Sequence, residues 1–367
     1  MGRLSEFGQH LYSGRISFDF VGHRRLWYAL SGVILVLATA GFVLRGFHFG
    51  IEFKGGVEFT AQVQRADTAA VDAMTEAAAS VPAAGDPIVN TSGNQMIRIQ
   101  TSPLTQAEAT RVETALTKAG ASEVSQDLIG PSWGKQVATK ALTGLLVFLV
   151  IVVLFIWGYF REWRMSVAGL VALAHDLIIT AGVYAWSGFE VTPATVTGLL
   201  TILGYSLYDT VVVFDKVREN TKSILRSTTR TYAERANLAV NQTLVRSINT
   251  SVTALLPVGA LLLVGAMVLG TGPLKDLALA LFVGMAAGTY SSICIATPLA
   301  VQLKEREPAI KAHTARVSGK RVQAEAKGAA NAERVTVAAA PVRPVVASGS
   351  AKRNQPTRST RAKRNKG

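Results

Sequence analysis

Six apolar segments constrain the fold of this 367-residue chain more than any other feature. A helix that crosses the hydrocarbon core of a bilayer needs about 20 consecutive, mostly apolar residues. The segments that meet this requirement are residues 26–45, 137–158, 165–187, 194–214, 246–269 and 275–302. The sequence therefore predicts a polytopic α-helical membrane protein with six transmembrane helices, called spans one to six below.

Basic residues are distributed unequally among the connections between the spans. They precede span one and lie between spans two and three and between spans four and five, for example Arg24 and Arg25, Arg161 and Arg164, and Arg226 and Arg230. Residues 188–193, between spans three and four, contain none. Because basic connections stay in the cytoplasm, we expect a chain of the cytoplasmic membrane with residues 1–25 and both termini on the cytoplasmic side.

The long connection, residues 46–136, is then extracytoplasmic, and its ten acidic residues outnumber its six basic ones. Its pattern predicts a small α+β domain. Residues 57–63 alternate as a half-buried strand does, 66–80 are helical in pattern, and 105–108 form a capping box that opens a second helix. Strands are also expected at 97–99 and 124–129. No catalytic constellation is recognisable, so we expect no enzymatic activity.

The tail, residues 303–367, carries most of the net charge of +14: sixteen Lys or Arg residues and four Glu residues give it +12. It is rich in Ala, Lys, Arg, Pro and Ser, a composition that buries too little apolar area to offset the entropy of ordering. We expect a disordered basic cytoplasmic tail. Two binding partners stay open for it, anionic membrane lipid and a ribosome or nascent chain.

Four ionisable residues stand out inside the predicted spans, where a charge costs a few kcal/mol and usually marks a protein interior or a water path. They are His175 and Asp176 in span three, Asp209 in span four and Arg246 at the start of span five. Helix geometry predicts Asp209 and Arg246 at similar depth on neighbouring helices. An Asp209–Arg246 pair has two interpretations, a static salt bridge and a proton relay. His175 could extend the relay or make an interhelical hydrogen bond.

Span six carries a small-xxx-small pattern, Gly284 to Gly288, which lets two helices approach closely and predicts a packing face. The single cysteine, Cys294, excludes an intrachain disulfide. No cofactor is predicted, because the chain has neither a histidine cluster for a metal nor a phosphate-binding G-x-x-x-x-G-K-[ST] loop.

Six motifs resemble those of the SecF family. Its members are subunits of the bacterial SecD–SecF protein-export complex, which belongs to the RND superfamily. The longest is GYSLYDTVVVFDKVREN at 204–220. The others, in the family's order, lie at 19–25, 50–56, 130–134, 174–176 and 241–251. The resemblance covers about residues 18–303. Two positions depart from the family pattern: Glu52 stands where Asp is usual, and Tyr208 stands where Asn is usual.

The resemblance implies half of an RND-type transporter whose other half is SecD. It implies that the proton-motive force drives motion of the external domains, which assist a preprotein leaving the SecYEG channel, with a YajC-like accessory subunit as a further partner. By position, Asp209 and Arg246 match the family's proton-conducting residues, and His175 and Asp176 match its span-three motif. A structural scaffold and half of a small-molecule RND exporter are the alternatives.

Overall fold

The structure is a computed structural model that describes residues 16–265 and 273–337. Residues 1–15, the end of span five at 266–269 and the tail from 338 lie outside the described residues, so the predictions for them are not addressed by it. In the described ranges six helices are long and apolar enough to cross a membrane: Arg24–Leu44, Trp133–Phe160, Trp163–Ser187, Pro193–Arg226, Tyr232–Val264 and Leu274–Glu305. The predicted fold class is confirmed.

The α+β domain lies between spans one and two. Its sheet has the order β3-β4-β2-β5, with every neighbouring pair antiparallel. The strands are β2 (Gly56–Gln62), β3 (Ile88–Thr91), β4 (Met96–Thr101) and β5 (Glu123–Ile129), and the helices are α2 (Thr68–Ala79) and α3 (Gln106–Lys118). Phe59, Ile97 and Ile99 point from the sheet towards Met74 and Leu116 of the helices and form a dry core. Thr105 and Glu108 make the expected capping box. Strand β3 was not predicted.

A short segment after span one seats the domain on the helix bundle. Strand β1 (His48–Phe49) pairs in parallel with β6 (Glu190–Val191), which connects spans three and four. Helix α1 (Ile51–Lys54) packs on the beginning of span two, where Gly134 permits the contact. A Cβ at Gly134 would lie only 2.6 Å from the carbonyl oxygen of Phe53. The glycine motif before span two therefore serves a close approach of two backbones.

Spans three, four and six form the interior of the bundle. Phe214 and Leu203 of span four pack with Leu173 of span three and Ile156 of span two, all of them buried. Span six has an α-helical first part, Pro273–Ser291, then one π-helical turn, Ser292–Ala296, and a last part, Thr297–Glu305. A π-turn widens the helix by one residue and often marks a functional site.

The structure corrects the prediction for the tail as far as residue 337. Residues 303–305 complete span six, and Pro308–Val337 forms a helix, α4, where disorder was expected. Ile310 and Val317 of α4 are buried, and His313 Nε2 lies 2.9 Å from the carbonyl oxygen of Ser227, between spans four and five. The prediction was wrong here because Ala, Lys, Arg, Gln and Glu are strong helix formers, and a few apolar positions suffice to dock the first turns.

Candidate functional site

Asp176 of span three is buried in the middle of the bundle, with 1% of its surface exposed. Its Oδ2 accepts hydrogen bonds from Ser206 Oγ of span four (2.6 Å) and Ser291 Oγ of span six (2.9 Å). Its Oδ1 lies 3.2 Å from His175 Nδ1. Three helices therefore meet at one carboxylate, and each contributes a polar group.

Asp209 of span four is the second buried carboxylate, with 6% of its surface exposed. Its Oδ1 accepts a hydrogen bond of 2.6 Å from Ser247 Oγ of span five. Its Oδ2 accepts a hydrogen bond from Ser292 Oγ of span six. The two carboxylates thus have similar surroundings, each held by serine hydroxyls from two neighbouring helices.

The adjacent residues Ser291 and Ser292 connect the two carboxylates, since each serves a different one. Two successive residues of an α-helix point about 100° apart, and the π-turn that begins at Ser292 sets the direction of the second hydroxyl. Thr297 Oγ1 donates to the carbonyl oxygen of Ser292 (3.0 Å) and satisfies a backbone acceptor within this irregular turn. These serines were missed in the sequence, although a Ser-Ser pair inside an apolar span was a visible signal.

The predicted Asp209–Arg246 ion pair is wrong for this structure. Arg246 is exposed, and its Nη2 donates instead to the hydroxyl of Tyr208 at 2.9 Å. Span five begins at Tyr232 and not near Arg246, which places Arg246 about 21 Å along the helix. The prediction of similar depth is sound, because Tyr208 is next to Asp209. The error lies in the rotation: Asp209 points into the bundle, whereas Tyr208 and Arg246 point outwards.

Further hydroxyl groups continue from Asp209 towards the end of the bundle that carries the α+β domain. Ser251, one turn beyond Ser247, lies 3.2 Å from the hydroxyl of Tyr205 and 2.5 Å from Thr289 Oγ1. His175 adds an unused ring nitrogen: its Nε2 is buried without a hydrogen-bond partner in the described part of the chain. Hydroxyl groups both donate and accept hydrogen bonds, so a continuous chain of them can pass protons to and from a carboxylate.

Gly284 and Gly288 of span six lie against span four. A Cβ at Gly288 would lie 2.9 Å from the Cβ of Ser206, and one at Gly284 would lie 2.9 Å from the Cβ of Ile202. The absence of side chains at these positions lets spans four and six approach closely at Ile202 and Ser206. No group of three or more residues able to hold a metal ion occurs among the residues that the structure describes.

Family models match most of this region. Residues 111–306, more than half of the chain, match the model of the protein export membrane protein SecD/SecF, C-terminal, and residues 40–67 match the SecD/SecF GG motif. The protein translocase subunit SecF of Streptomyces coelicolor is 50% identical over 331 residues, which are 89% of this chain and 88% of that relative. The chain belongs to the SecF family. A second SecF, from Mycobacterium tuberculosis H37Rv, is 43% identical over 343 residues, which are 89% of this chain and 77% of that relative.

Solved structures agree with membership of the SecF family. The crystal structure of SecDF, a translocon-associated membrane protein from Thermus thermophilus, matches with a TM-score of 0.69 and 33% identity over 79% of this chain and 39% of that chain. SecDF in its super-membrane-facing form matches with a TM-score of 0.58 and 32% identity over 82% and 40% of the two chains. A SecF-family chain therefore corresponds to about two fifths of SecDF, in which SecD and SecF form one polypeptide.

Proposed function

We propose that this SecF-family chain works with SecD as a proton-driven subunit of the preprotein translocase. The complex uses the proton-motive force to assist preproteins through the SecYEG channel and to release them on the outer side of the membrane. The observation that carries the proposal is the pair of buried carboxylates, Asp176 and Asp209, bound by serine hydroxyls from spans four, five and six. The chain is proposed to act without a cofactor and without enzymatic chemistry of its own.

Proton binding at such a carboxylate changes the forces between helices. An ionised carboxylate accepts strong hydrogen bonds from hydroxyl groups, about 1.5–3 kcal/mol each, whereas a protonated one accepts weaker bonds and donates one of its own. Because the two serine hydroxyls at each carboxylate belong to two different spans, loading and unloading a proton biases the packing of spans four, five and six. In this mechanism the hydroxyls of Tyr205, Ser251 and Thr289 lead towards the outer side.

The outward-facing pair Arg246 and Tyr208 supports SecD as the partner. A charged side chain in the middle of a spanning helix faces protein or water in nearly all membrane proteins. Arg246 lies near the middle of span five and on its exposed face. We therefore place SecD on the face formed by spans four and five, where an acidic or polar group of SecD would take the place of the predicted Asp209 partner.

The remaining topology and partners follow the same proposal. The basic connections support an orientation with both termini in the cytoplasm and the α+β domain outside the cytoplasmic membrane, where it would meet the emerging preprotein. A YajC-like subunit is proposed as an accessory partner. The basic tail contacts anionic lipid of the inner leaflet, and a ribosome or nascent chain is its alternative partner.

The substitution Asp209→Asn tests the proposal in membrane vesicles that contain the complete translocase. We expect the variant to assemble with SecD and to lose the part of export that depends on the proton gradient. If the variant fails to assemble, the scaffold alternative gains support, because Asp209 would then serve to hold the helices together in a static hydrogen-bond network. If normal export continues after the gradient is collapsed in the native complex, the proton mechanism is wrong.

A small-molecule RND exporter is a weaker alternative for this chain. The motifs, the relatives and the solved structures that match are those of SecF and SecDF. Resistance of cells to toxic small molecules should therefore not change when the chain is deleted, whereas processing of secreted preproteins should slow down.

A further inference from the structure

An ion pair links the α+β domain to the connection between spans three and four. Arg98 lies on β4, and its Nη2 is 2.6 Å from Glu58 Oε2 on the neighbouring strand β2. The same nitrogen is 3.5 Å from Glu190 Oε2 on β6. Gln100, two residues further along β4, donates its Nε2 hydrogen to Glu190 Oε2 at 3.0 Å. One carboxylate of the bundle is therefore held by two side chains of the sheet.

The charges of this link are largely shielded from water. The side chains of Arg98, Glu190 and Glu58 are 9%, 15% and 19% exposed. Removing one partner of a buried ion pair leaves an uncompensated charge, so such a pair constrains geometry strongly even where its net contribution to stability is small. Burial lowers the pKa of Arg98, whereas the carboxylates of Glu58 and Glu190 raise it. The resulting pKa of Arg98 is above its ordinary value.

Glu190 is also attached to the beginning of span four, because a side chain in the first turn of that helix is hydrogen-bonded to β6. Thr195 Oγ1 donates to the carbonyl oxygen of Glu190 at 3.3 Å, and Thr192 and Thr195 form the capping box that begins span four. Glu190 thus sits on the connection between the span that carries Asp176 and the span that carries Asp209. Any change in the relative position of these two spans displaces the residue that Arg98 and Gln100 hold.

A cavity of about 170 Å³ lies beside the link and gives it room to move. The volume is enough for several water molecules. The domain contributes Asn90 and Arg98 to its wall, and the bundle contributes Glu190, Lys275 and Asp276. The charged groups around the link are Glu52, Glu58, Glu190 and Asp276 and the cations Arg98 and Lys275.

We propose that Arg98 and Gln100 grip Glu190 and so transmit the displacement of span four to the α+β domain. The three side chains are positioning residues, and the proposal rests on the proton-driven function given above. The sheet moves as one body because β4 is an inner strand, paired with both β3 and β2. Displacement of one end of β4 therefore displaces the whole domain relative to the membrane.

The charge reversal Glu190→Lys tests the grip in the complete SecD–SecF complex. Two quantities are measured, proton flux in liposomes and proton-dependent export in vesicles with SecYEG. We expect flux to stay close to that of the native complex while export falls about tenfold, since protons still bind but the domain no longer follows. Glu190→Asp, which keeps the charge, should restore much of the export. Glu76→Lys on α2 is the matched control, because it makes the same charge change at an exposed residue of the α+β domain, away from the link.

Each other result contradicts the proposal in a different way. Native export by Glu190→Lys would show that the grip is not needed. An equal fall of flux and export would show that Glu190 acts in conduction or folding and not in coupling. If the variant fails to assemble with SecD, proton flux and export are measured for Glu190→Gln instead. We expect native flux with reduced export, and native export by Glu190→Gln would contradict the proposal. If Asp209→Asn keeps native flux and export, the proton mechanism fails independently of what the Glu190 variants do.

Discussion

Ser292 is the residue on which the arrangement around Asp209 depends most. Its hydroxyl comes from the π-turn of span six and is one of the two serine hydroxyls that donate to Asp209. Ser292→Ala should remove one of the two hydroxyl donors of Asp209 and slow proton flux about tenfold, the effect of ~1.4 kcal/mol. Ser292→Thr keeps the hydroxyl and should retain most of the flux. Ser187→Ala, at an exposed serine of span three, is the control and should keep native flux. Native flux in Ser292→Ala would contradict the role assigned to the Ser292 hydroxyl.

Glu52 provides a prediction of pH dependence at the level of one residue. Burial raises the pKa of Glu52, while a backbone hydrogen bond and Arg98 lower it less. A carboxyl group whose pKa is higher in the folded than in the unfolded protein binds more protons when folded. Its ionised form therefore destabilises the folded protein above that pKa, and this destabilisation disappears as the pH falls through the folded-state pKa towards the unfolded one. Glu52→Gln should therefore raise the Tm in detergent at pH 7.5, and its advantage should shrink towards pH 4.5. Glu76→Gln, at an exposed acid, should show no such trend.

At the level of elements, the contact between spans four and six is the most sensitive to side-chain size. Gly288→Ala adds a Cβ 2.9 Å from the Cβ of Ser206, which forces the two helices apart and should cost about 1–3 kcal/mol of stability. Gly144→Ala in span two is the matched control, because nothing lies within 4 Å of a Cβ there. We expect Gly288→Ala to lower the Tm and to slow proton flux, and Gly144→Ala to change neither. Equal Tm values for the two variants would contradict the assigned packing face.

Helix α4 gives a second test at this level. A chain that ends after Glu305 lacks the buried side chains Ile310 and Val317, each worth roughly 1.5–3 kcal/mol of burial. A chain that ends after Val317 keeps them. The first truncation should lower the Tm of the complex, and the second should not. A Tm equal for both would mean that α4 contributes nothing to the folded body.

The elements could be predicted from the sequence to the extent that lipid or a local motif dictates them. Apolar length alone reveals the six spans, and the Thr105 capping box fixes the start of α3. Span five begins 14 residues before its apolar part, at Tyr232, because a helix that packs on protein needs only one apolar face. The Ser291-Ser292 pair was visible as a polar signal in span six, but the carboxylate that each hydroxyl contacts and the outward rotation of Arg246 could not be predicted. They depend on the π-turn and on the angle of each helix about its own axis.

On the scale of the whole molecule, this chain corresponds to one part of SecDF. It matches about two fifths of SecDF, and its spans four and five leave Arg246 and Tyr208 exposed. In the proposed mechanism, SecD covers these residues, and protons pass through Asp176 and Asp209 and not merely along the protein surface. The network of serine hydroxyls links the spans inside the bundle, and β6 links them to the α+β domain.

The most direct test is the proton flux of the purified SecD–SecF complex in liposomes under an imposed pH gradient, measured with a dye enclosed in the vesicles. The native complex should dissipate the gradient, and Asp209→Asn should reduce this flux to the level of empty liposomes while the complex remains assembled. Flux through an assembled Asp209→Asn complex equal to that of the native complex would contradict the central claim.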